Sequence, residues 1–360
     1  MSRTAIRLDV LPASYGDCLL VECPTGRRTW RMLVDTGPDE TYPALRARLA
    51  AIRPDGQGRR RIDLFVVSHI DHDHIGGAAL LLADEALNLD FGDVWFNAPG
   101  LQRIRGVKEG QVLAELLGAP GVVLPWNRAF GGGMAVAPEG GFLEVPASTG
   151  QPRLTLLSPT PGRLTSLFKV WAREMAKLAE RPPDRAPVAL PRAGFEPDLA
   201  ALASKTTATD RAVANGSSIA MLLEHRGASL LLAADAFAPV LVESLAALAA
   251  GRGLDTPLQL DAIKLSHHGS QANVSNALFE CVQARHQIVS TNGAIFGHPD
   301  DVAIARVILH GGHQPYLWFN HANERNRRWG AGPLMARYGY EARFPAKVGE
   351  GVTLRLPASG

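Results

Sequence analysis

Apolar and polar residues along this chain alternate with two periods, one typical of strands and one typical of helices. Short apolar or alternating runs predict strands at residues 5–11, 17–23, 31–34, 62–67, 217–223, 229–233 and 261–265. Apolar residues at three- and four-residue spacing predict helices at 43–52, 78–87 and 164–180. Some of these strands lead into a polar loop and then a helix, and α/β proteins place their chemistry at such carboxyl ends of strands.

The longest apolar stretch, residues 228–250, is long enough to span a bilayer. It contains Asp235 and Glu243, however, and Pro239 interrupts it. Because charged residues are costly in a membrane and proline breaks regular structure, this stretch predicts a buried strand followed by a helix. We therefore expect no association with a membrane.

Composition and charge narrow the class of protein. With 360 residues, of which 46% are hydrophobic and 20% charged, the chain is typical of a packed protein and excludes a disordered one. The 37 basic and 35 acidic residues leave a formal charge of +2, so nucleic-acid binding would need a local basic patch. Three scattered cysteines and an N-terminus without an apolar signal-peptide core predict a cytoplasmic protein.

One short segment is unusually rich in side chains that bind metal ions. Residues 68–77 read Ser-His-Ile-Asp-His-Asp-His-Ile-Gly-Gly and follow a predicted buried strand. Imidazole and carboxylate groups are ligands for zinc and manganese. A loop at the end of a strand can turn His69, Asp71, Asp73 and His74 toward one point, and an ordinary solvated loop seldom concentrates ligands in this way.

This segment closely resembles the signature of the metallo-β-lactamase superfamily, His-x-His-x-Asp-His-x-Gly-Gly, with Asp71 in place of the second histidine. The variant is similar to the hydrolase domain of the competence protein ComEC and its soluble relatives. Other segments match in the expected order, namely Leu-Val-Asp-Thr-Gly at 33–37, Asn-Gly-Ser-Ser at 215–218, Leu-Leu-Ala-Ala-Asp-Ala at 231–236, Lys-Leu-Ser-His-His-Gly-Ser at 264–270 and Gly-His-Pro at 297–299.

The resemblance implies an α+β fold, the αββα sandwich in which two mixed β-sheets pack face to face with helices on the outer faces. It covers most of the chain and implies a single domain over residues 1–360. The regions at about 100–150 and 160–214 would then be insertions.

Carried over position by position, the resemblance implies two divalent metal ions, zinc or manganese, with magnesium possible. One would be held by His69, Asp71 and Asp235. The other would be held by Asp73, His74, Asp235 and either His267 or His268. Here His267 is preferred because it comes first after the strand, although both remain open.

Three further residues are implied to support the ligand loop. Asp35 would orient it, and Gly76 and Gly77 would allow a helix to approach closely.

One feature departs from the pattern, since most two-metal members have another histidine before the bridging aspartate. Between His74 and Asp235 the chain has only His225, which we expect on the surface. An oxygen-rich site of this kind favours manganese or magnesium relative to zinc.

The implied mechanism uses a metal-bridging hydroxide as the nucleophile. Asp73 would accept a proton from the attacking water as well as bind metal. His298 would donate to the leaving oxygen. Asn215 and Ser218 would position the substrate, or would serve only as turn and strand-start residues.

The leading functional hypothesis is a metal-dependent phosphodiesterase, most plausibly a nuclease. The alternatives are a hydrolase of small esters, such as phosphocholine esters or lactones, and a catalytically weak binding subunit of a larger assembly. The ComEC-like branch also implies a regulatory protein partner of the kind found in antiphage systems. The chain also has two basic stretches, Arg59–Arg61 and Arg325–Arg328. If they flank the metal cleft, their arginines would contact phosphates, and the adjacent Trp329 would stack on a base. Otherwise both stretches are solvated surface.

Overall fold

The strands form two β-sheets that face each other in this computed structural model, which describes residues 4–26, 28–99, 124–178 and 195–358. The first sheet has the order β14-β1-β2-β3-β4-β5. Its strands are β1 (Thr4–Val10), β2 (Leu19–Pro24), β3 (Thr29–Val34), β4 (Arg60–Val66), β5 (Leu89–Trp95) and β14 (Val352–Pro357). Neighbours from β14 to β3 are antiparallel, whereas β3, β4 and β5 are parallel.

The second sheet has the order β13-β12-β11-β10-β9-β8-β7-β6. Its strands are β6 (Leu143–Val145), β7 (Arg153–Ser158), β8 (Ala220–His225), β9 (Ala228–Leu232), β10 (Leu258–Lys264), β11 (Val282–Val289), β12 (Tyr316–Phe319) and β13 (Glu341–Arg343). Strands β9 to β13 are parallel, and β6 to β9 are antiparallel. Both sheets are therefore mixed.

Helices cover the outer faces of both sheets. They are α1 (Tyr42–Ala50), α2 (His72–Ile75), α3 (Ala78–Ala83), α4 (Pro161–Leu178), α5 (Leu199–Ala203), α6 (Val213–Gly216), α7 (Ala238–Arg252), α8 (Asn276–Cys281), α9 (Asp301–His310), α10 (Glu324–Arg327) and α11 (Gly332–Tyr338). None of these helices is both long and apolar enough to cross a bilayer, within the residues that the structure describes.

Three apolar clusters fill the spaces between these layers. The central cluster joins side chains of both sheets, for example Leu8 and Val21 from the first with Leu223 and Leu230 from the second. A second cluster packs α7, α8 and α9 against the outer face of the second sheet. A third packs α1 and α3 against the first sheet. The expectation of an α+β sandwich of two mixed sheets with helices outside is confirmed.

The predicted elements agree with the structure within a few residues at most positions. The helix predicted at 78–87 ends at Ala83, because the Asp84 carboxylate accepts from the Ala86 N–H and starts a short 3₁₀ turn instead. The apolar stretch 228–250 divides into β9 and α7, as its interrupting residues predict. Parts of the two predicted insertions, at 100–123 and 179–194, lie outside the described residues, and the single-domain division stays a prediction.

The parallel strands β3, β4, β9, β10 and β11 end at the same edge of the sandwich. Backbone strain is concentrated there, since Asp35, Ala234, His267 and His268 all have φ between 44° and 58°. Non-glycine residues in this left-handed region cost of order 1–3 kcal/mol each and persist where the surrounding structure holds them. This edge is therefore the place to look for a functional site.

The packing between the two sheets can be tested at Leu230, which is fully buried in the central cluster. We expect Leu230→Ala to lower the free energy of unfolding by about 2–5 kcal/mol, because it removes apolar contacts and leaves a cavity. The matched control is Leu254→Ala, whose side chain is 51% exposed and for which we expect a change within about 0.5 kcal/mol. Chemical denaturation measures both, and equal effects would contradict this packing.

Candidate metal centre

Four side chains bring nitrogen and oxygen atoms together at the shared strand edge. His74 Nε2 lies 3.2 Å from His268 Nε2, 3.4 Å from Asp235 Oδ1 and 3.8 Å from Asp73 Oδ2. His268 Nε2 lies 3.2 Å from the same Asp73 oxygen. All four side chains are at most 8% exposed. We call Asp73, His74, Asp235 and His268 the inner site.

The buried Asp35 carboxylate organises the loop that carries the first ligands. Its oxygens accept from the backbone N–H and the hydroxyl of Ser68, both at 2.7 Å, and lie 2.8 Å from His74 Nδ1. Because a carboxylate only accepts, Nδ1 of His74 carries the proton and Nε2 presents its lone pair to the inner site. The Ser68 hydroxyl, having donated to Asp35, accepts from His69 Nδ1 at 3.0 Å and turns His69 Nε2 inward as well.

His268 is held from the other side of the site. Its Nδ1 lies 2.8 Å from the carbonyl oxygen of Ser290, which again leaves Nε2 free to face Asp73 and His74. The Asp17 carboxylate lies behind the same ring, with Oδ1 at 3.4 Å from Nδ1, and its other oxygen pairs with the fully buried Lys264 ammonium. Removing one partner of such a buried pair leaves an uncompensated charge, so Asp17 and Lys264 hold each other in place.

Asp17 was missed by sequence reasoning, although it belongs to this centre. Asp17, His74, Asp235 and His268 each offer a ligand-type atom within 4.8 Å of the other three. The only local signal is a single aspartate between a turn and the apolar start of β2, where no ligand-rich motif marks it. Its partners Lys264 and His268 lie about 250 residues away along the chain, and only the fold brings them together.

His69 and Asp71 lie on the outer side of Asp235. His69 Nε2 is 3.6 Å from Asp71 Oδ2 and 3.9 Å from Asp235 Oδ2. Asp71 is 39% exposed, so this side of the centre opens toward solvent. His267 Nε2 lies 3.7 Å from the same Asp235 oxygen, and its side chain is 20% exposed.

The donor set fits a divalent metal ion. His69 Nε2 and Asp235 Oδ1 are buried and make no hydrogen bond among the described residues, although buried polar atoms are normally paired. Two ring nitrogens, of His74 and His268, face each other across 3.2 Å, which is unfavourable unless a proton or a metal ion lies between them. Ligands about 2.0–2.1 Å from a tetrahedral zinc ion lie roughly 3.3 Å apart, close to this spacing.

The carboxylates and histidines of the centre shift one another's pKa values, and their combined field favours a bound cation. Burial by itself would raise the pKa values of Asp73 and Asp235, but His74 and His268 lower both below the usual carboxylate range. Burial would likewise lower the pKa of His74, but Asp235 and Asp73 raise it. The carboxylates are therefore ionised and ready to bind a cation.

The structure places His268, and not the preferred His267, beside Asp73 and His74. His268 is fully buried, whereas His267 lies nearer the opening. The difference arises because both residues have positive φ, which turns consecutive side chains in a way that the order along the chain does not reveal. Both histidines nevertheless face Asp235.

Small residues allow the ligand loop to pack against its neighbours. A Cβ at Gly76 would lie 2.7 Å from the His72 carbonyl oxygen and 3.0 Å from the Pro38 Cα, and one at Gly77 would lie 3.1 Å from the Thr36 carbonyl oxygen. Gly16 is tighter still, since a Cβ there would lie 1.8 Å from the carbonyl oxygen of Asp73. The turn before β2 therefore presses directly on the ligand loop.

The predicted substrate residues lie in different surroundings. His298 is near the opening, with its ring 5.1 Å from that of His267 and Nδ1 3.4 Å from Asp300 Oδ2. Burial lowers the pKa of His298, with Asp300 opposing that effect. Ser218 is fully buried and its hydroxyl makes no hydrogen bond within the described residues. Asn215 donates to Asp210 Oδ2 at 2.7 Å, so it contacts the surroundings of His267.

The two arginine stretches are placed very differently. Arg59 pairs with Asp55, and Arg61 with Asp63 and Asp90, at the start of β4. The ligand loop follows the other end of that strand, roughly 25 Å away at about 3.3 Å per residue. Arg59–Arg61 therefore do not flank the metal centre.

In the second stretch, only Arg325 comes close to the opening. Its guanidinium faces the Pro299 carbonyl oxygen at 3.5 Å, next to His298. Arg328 pairs with Asp301, and Trp329 is fully buried, with its ring 4.9 Å from that of Phe195. The expectation that Trp329 stacks on a base is wrong, because the indole belongs to the apolar core.

The expectation that His225 lies on the surface is also wrong. His225 is buried, not on the surface, because its Nε2 bonds to the Pro24 carbonyl oxygen at 2.9 Å where the first sheet covers the hairpin. His72, in the same loop as the ligands, contacts other residues: its Nδ1 lies 3.1 Å from the Tyr15 hydroxyl and its Nε2 lies 3.5 Å from Asp39 Oδ1.

The role of Asp35 can be tested with Asp35→Asn, which keeps the size and tolerates the positive φ. An amide cannot accept all three of these hydrogen bonds, so we expect a loss of about 1.5–3 kcal/mol in unfolding free energy. We also expect about 10–100-fold weaker binding of metal, because the orientation of His74 is lost. Denaturation and calorimetry measure the two effects. Asp39→Asn, with a side chain 59% exposed, is the control, and matching behaviour of the two variants would refute the role.

Comparisons with known proteins agree with this architecture. The family model described as "Metallo-beta-lactamase superfamily" matches residues 11–86, which include Asp17, Asp35 and the ligand loop. No curated protein matches the chain.

Several solved structures align with nearly the whole chain at low identity. The metallo-beta-lactamase fold protein YhfI from Bacillus subtilis is 11% identical, with a TM-score of 0.44 and coverage of 98% of this chain and 99% of that one. Human tRNase Z, short form, is 10% identical, with a TM-score of 0.42 and coverage of 98% and 99%. Zn²⁺-bound PqqB from Methylobacterium extorquens is 12% identical, with a TM-score of 0.45 and coverage of 97% and 100%. The two mixed sheets with outer helices, and the match over the ligand loop, give this chain the metallo-β-lactamase fold.

Proposed function

We propose that this protein is a metal-dependent phosphodiesterase of the ComEC-like branch and that its substrate is nucleic acid. The observation that carries the proposal is the convergence of two imidazole nitrogens and two carboxylates within 3.2–3.8 Å in the buried inner site. This mixed donor set suits zinc, manganese or magnesium. Asp235 would contribute to both metal positions, since its oxygens contact His74 on one side and His69 on the other.

Two divalent ions, when bound, supply Lewis acidity and an activated water at neutral pH. The chain's own residues then have separable tasks. His74 and His268 would hold metal through Nε2, since Nδ1 of each has a fixed acceptor. Asp73 would serve as ligand and as proton acceptor. His298, near the opening, would donate a hydrogen bond from its ring N–H to the leaving oxygen of the substrate.

The opening carries groups that suit a phosphodiester with a planar substituent. Phe296 is 39% exposed and stacks on the His298 ring at 6.3 Å, with Tyr15 packed against its other side at 5.9 Å. An exposed aromatic ring beside the reacting groups can stack on a nucleobase, and such stacking contributes about 1–3 kcal/mol per base. Arg325 lies next to the same group and provides a positive charge for a phosphate.

A small pocket that contains two arginines lies on the other side of His267. It is lined in part by Arg163, Arg211, Phe237 and Asp210, and Asp210 contacts His267 Nδ1 at 3.2 Å. No carboxylate pairs with Arg163 or Arg211 in the described parts of the chain, so both guanidinium groups can meet a phosphate. Cationic groups on both sides of the metal centre support a phosphoester substrate.

Hydrolysis of a small ester is the second candidate. The specific observation in its favour lies at the far end of β4, where Arg59 and Arg61 form ion pairs and Arg60 donates to backbone carbonyl oxygens. These contacts leave no long basic track to the metal centre from that side. A catalytically weak binding subunit, controlled by a protein partner in the cytoplasm, is the outcome to consider if neither substrate class is hydrolysed.

The nuclease proposal is tested by cleavage of single- and double-stranded DNA with added Mn²⁺. We expect wild-type protein to cleave DNA and Asp73→Ala to lose more than about 100-fold, because even changes to residues behind metal ligands cost 10–100-fold. The control Asp55→Ala, an exposed carboxylate at the far end of β4, should cleave normally. Turnover of a small phosphodiester without DNA cleavage would favour the second candidate, and no turnover of either would leave the binding role.

The contribution of Arg325 is tested by salt-dependent binding of single-stranded DNA. We expect Arg325→Ala to weaken binding and to reduce the slope of log K against log salt by about 0.7, the value for one phosphate contact on a single strand. Arg59→Ala is the matched control, since its guanidinium pairs with Asp55 away from the centre. An unchanged slope for Arg325→Ala would remove Arg325 from the binding surface.

A further inference from the structure

We infer that His267 is a second nitrogen ligand, besides His69, of an outer metal position, where it takes the place of the histidine that the ligand loop lacks at Asp71, and that Asp210 holds it there. The inference rests on the proposed metal-dependent function and deepens it. It assigns the two neighbouring histidines of the 264–270 motif to two different metal ions, one each.

The first argument is the position of the His267 ring relative to Asp235. His267 Nε2 lies 3.7 Å from Asp235 Oδ2, and His69 Nε2 lies 3.9 Å from that same oxygen. The other oxygen, Oδ1, faces His74 at 3.4 Å. His268 Nε2 of the inner site also lies 3.7 Å from Oδ2. Asp235 Oδ1 therefore faces the inner site alone, whereas Oδ2 lies between the inner site and the donors on the outer side, His69 and His267, with Asp71 next to His69.

The second argument concerns the far side of the ring. His267 Nδ1 lies 3.0 Å from Asn273 Oδ1 and 3.2 Å from Asp210 Oδ2. Both atoms accept hydrogen bonds and lie closer than the Asn215 amide nitrogen, which is 3.4 Å from Nδ1 and already donates to Asp210 at 2.7 Å. The nearer acceptors assign the proton to Nδ1, so Nε2 presents its lone pair to Asp235. A carboxylate behind the ring is the usual partner of a histidine that binds a metal, where it fixes the tautomer and the orientation.

The carboxylate of Asp210 is itself fixed. It accepts from Asn215 Nδ2 at 2.7 Å, from Asn273 Nδ2 at 3.1 Å and from the backbone N–H of Ala212 at 2.8 Å. Asn215 thus acts on the metal centre through Asp210. It is a positioning residue, which differs from the substrate contact that the motif implied.

The third argument is the backbone. His267 and His268 have φ of 47° and 54°, and two consecutive non-glycine residues in this region are costly. The result is that one ring is fully buried in the inner site while its neighbour, 20% exposed, faces the opening. An ordinary strand end would not direct both rings at one aspartate.

The chain offers no other histidine for this position between the ligand loop and Asp235. His225 is the only one in that interval, and it bonds to Pro24 at the hairpin end of β8. A further nitrogen ligand for the outer position is therefore supplied only from beyond Asp235, where His267 contacts that carboxylate at 3.7 Å.

The test uses the full chain loaded with Mn²⁺ and desalted, with bound metal counted by elemental analysis and affinities measured by calorimetry. Wild-type protein should bind two equivalents and give the electron paramagnetic resonance spectrum of a spin-coupled pair. His267→Asn, whose short side chain tolerates positive φ, should bind one equivalent and give the spectrum of an isolated ion. The matched control His298→Asn makes the same change 5.1 Å away and should keep two.

Asp210→Asn provides a second variant that leaves every ligand in place. We expect it to bind one of the two ions about 10–100-fold more weakly, with the other unchanged. Two tight sites in His267→Asn, or two unchanged affinities in Asp210→Asn, would overturn the inference and leave the proposed function standing. A single equivalent in wild type would overturn it too, in favour of a one-metal hydrolase. No bound metal in wild type would overturn the proposed function itself.

Discussion

A neutral imidazole can present a lone pair from one nitrogen only when the proton on the other has a fixed acceptor, and the whole centre depends on this constraint. His74 meets it through the Asp35 carboxylate, His268 through the Ser290 carbonyl oxygen and His267 through Asn273 and Asp210. The acceptors come from different strand ends and loops. The positions of the lone pairs are therefore fixed by the sandwich as a whole, and binding a metal ion requires little rearrangement of side chains.

The same arrangement has an electrostatic cost that the fold must balance. Asp17, Asp35, Asp73 and Asp235 are almost completely buried at one edge, where unpaired charge is strongly unfavourable. Lys264, also fully buried, neutralises Asp17, and the histidines partly neutralise the others. Divalent ions would complete this balance, so metal binding and folding stability are expected to be coupled. The positive-φ residues at this edge add a second cost, because they hold the binding groups in place and lower local stability.

Local patterns predicted some features well and failed at others for a physical reason. Period-two and period-3.6 spacing located most strands and helices near the centre, because these elements bury one face each. The expectations for Trp329 and His225 failed because an arginine-rich or turn-like neighbourhood says nothing about which layer covers a side chain. Asp17 was missed because a single carboxylate acquires meaning only beside Lys264 and His268.

The sequence by itself determined which residue types could bind metal, their concentration in the segment after β4, and the order of the supporting motifs. These features can be read from residues that are close together along the chain. The tertiary structure decided which histidine enters the inner site, because that depends on positive φ at His267 and His268 and on acceptors from distant strands. It also decided that Arg59–Arg61 lie far from the centre and Arg325 beside it. Distance through space between remote segments is set by how the two sheets pack, and no local pattern of residues encodes it.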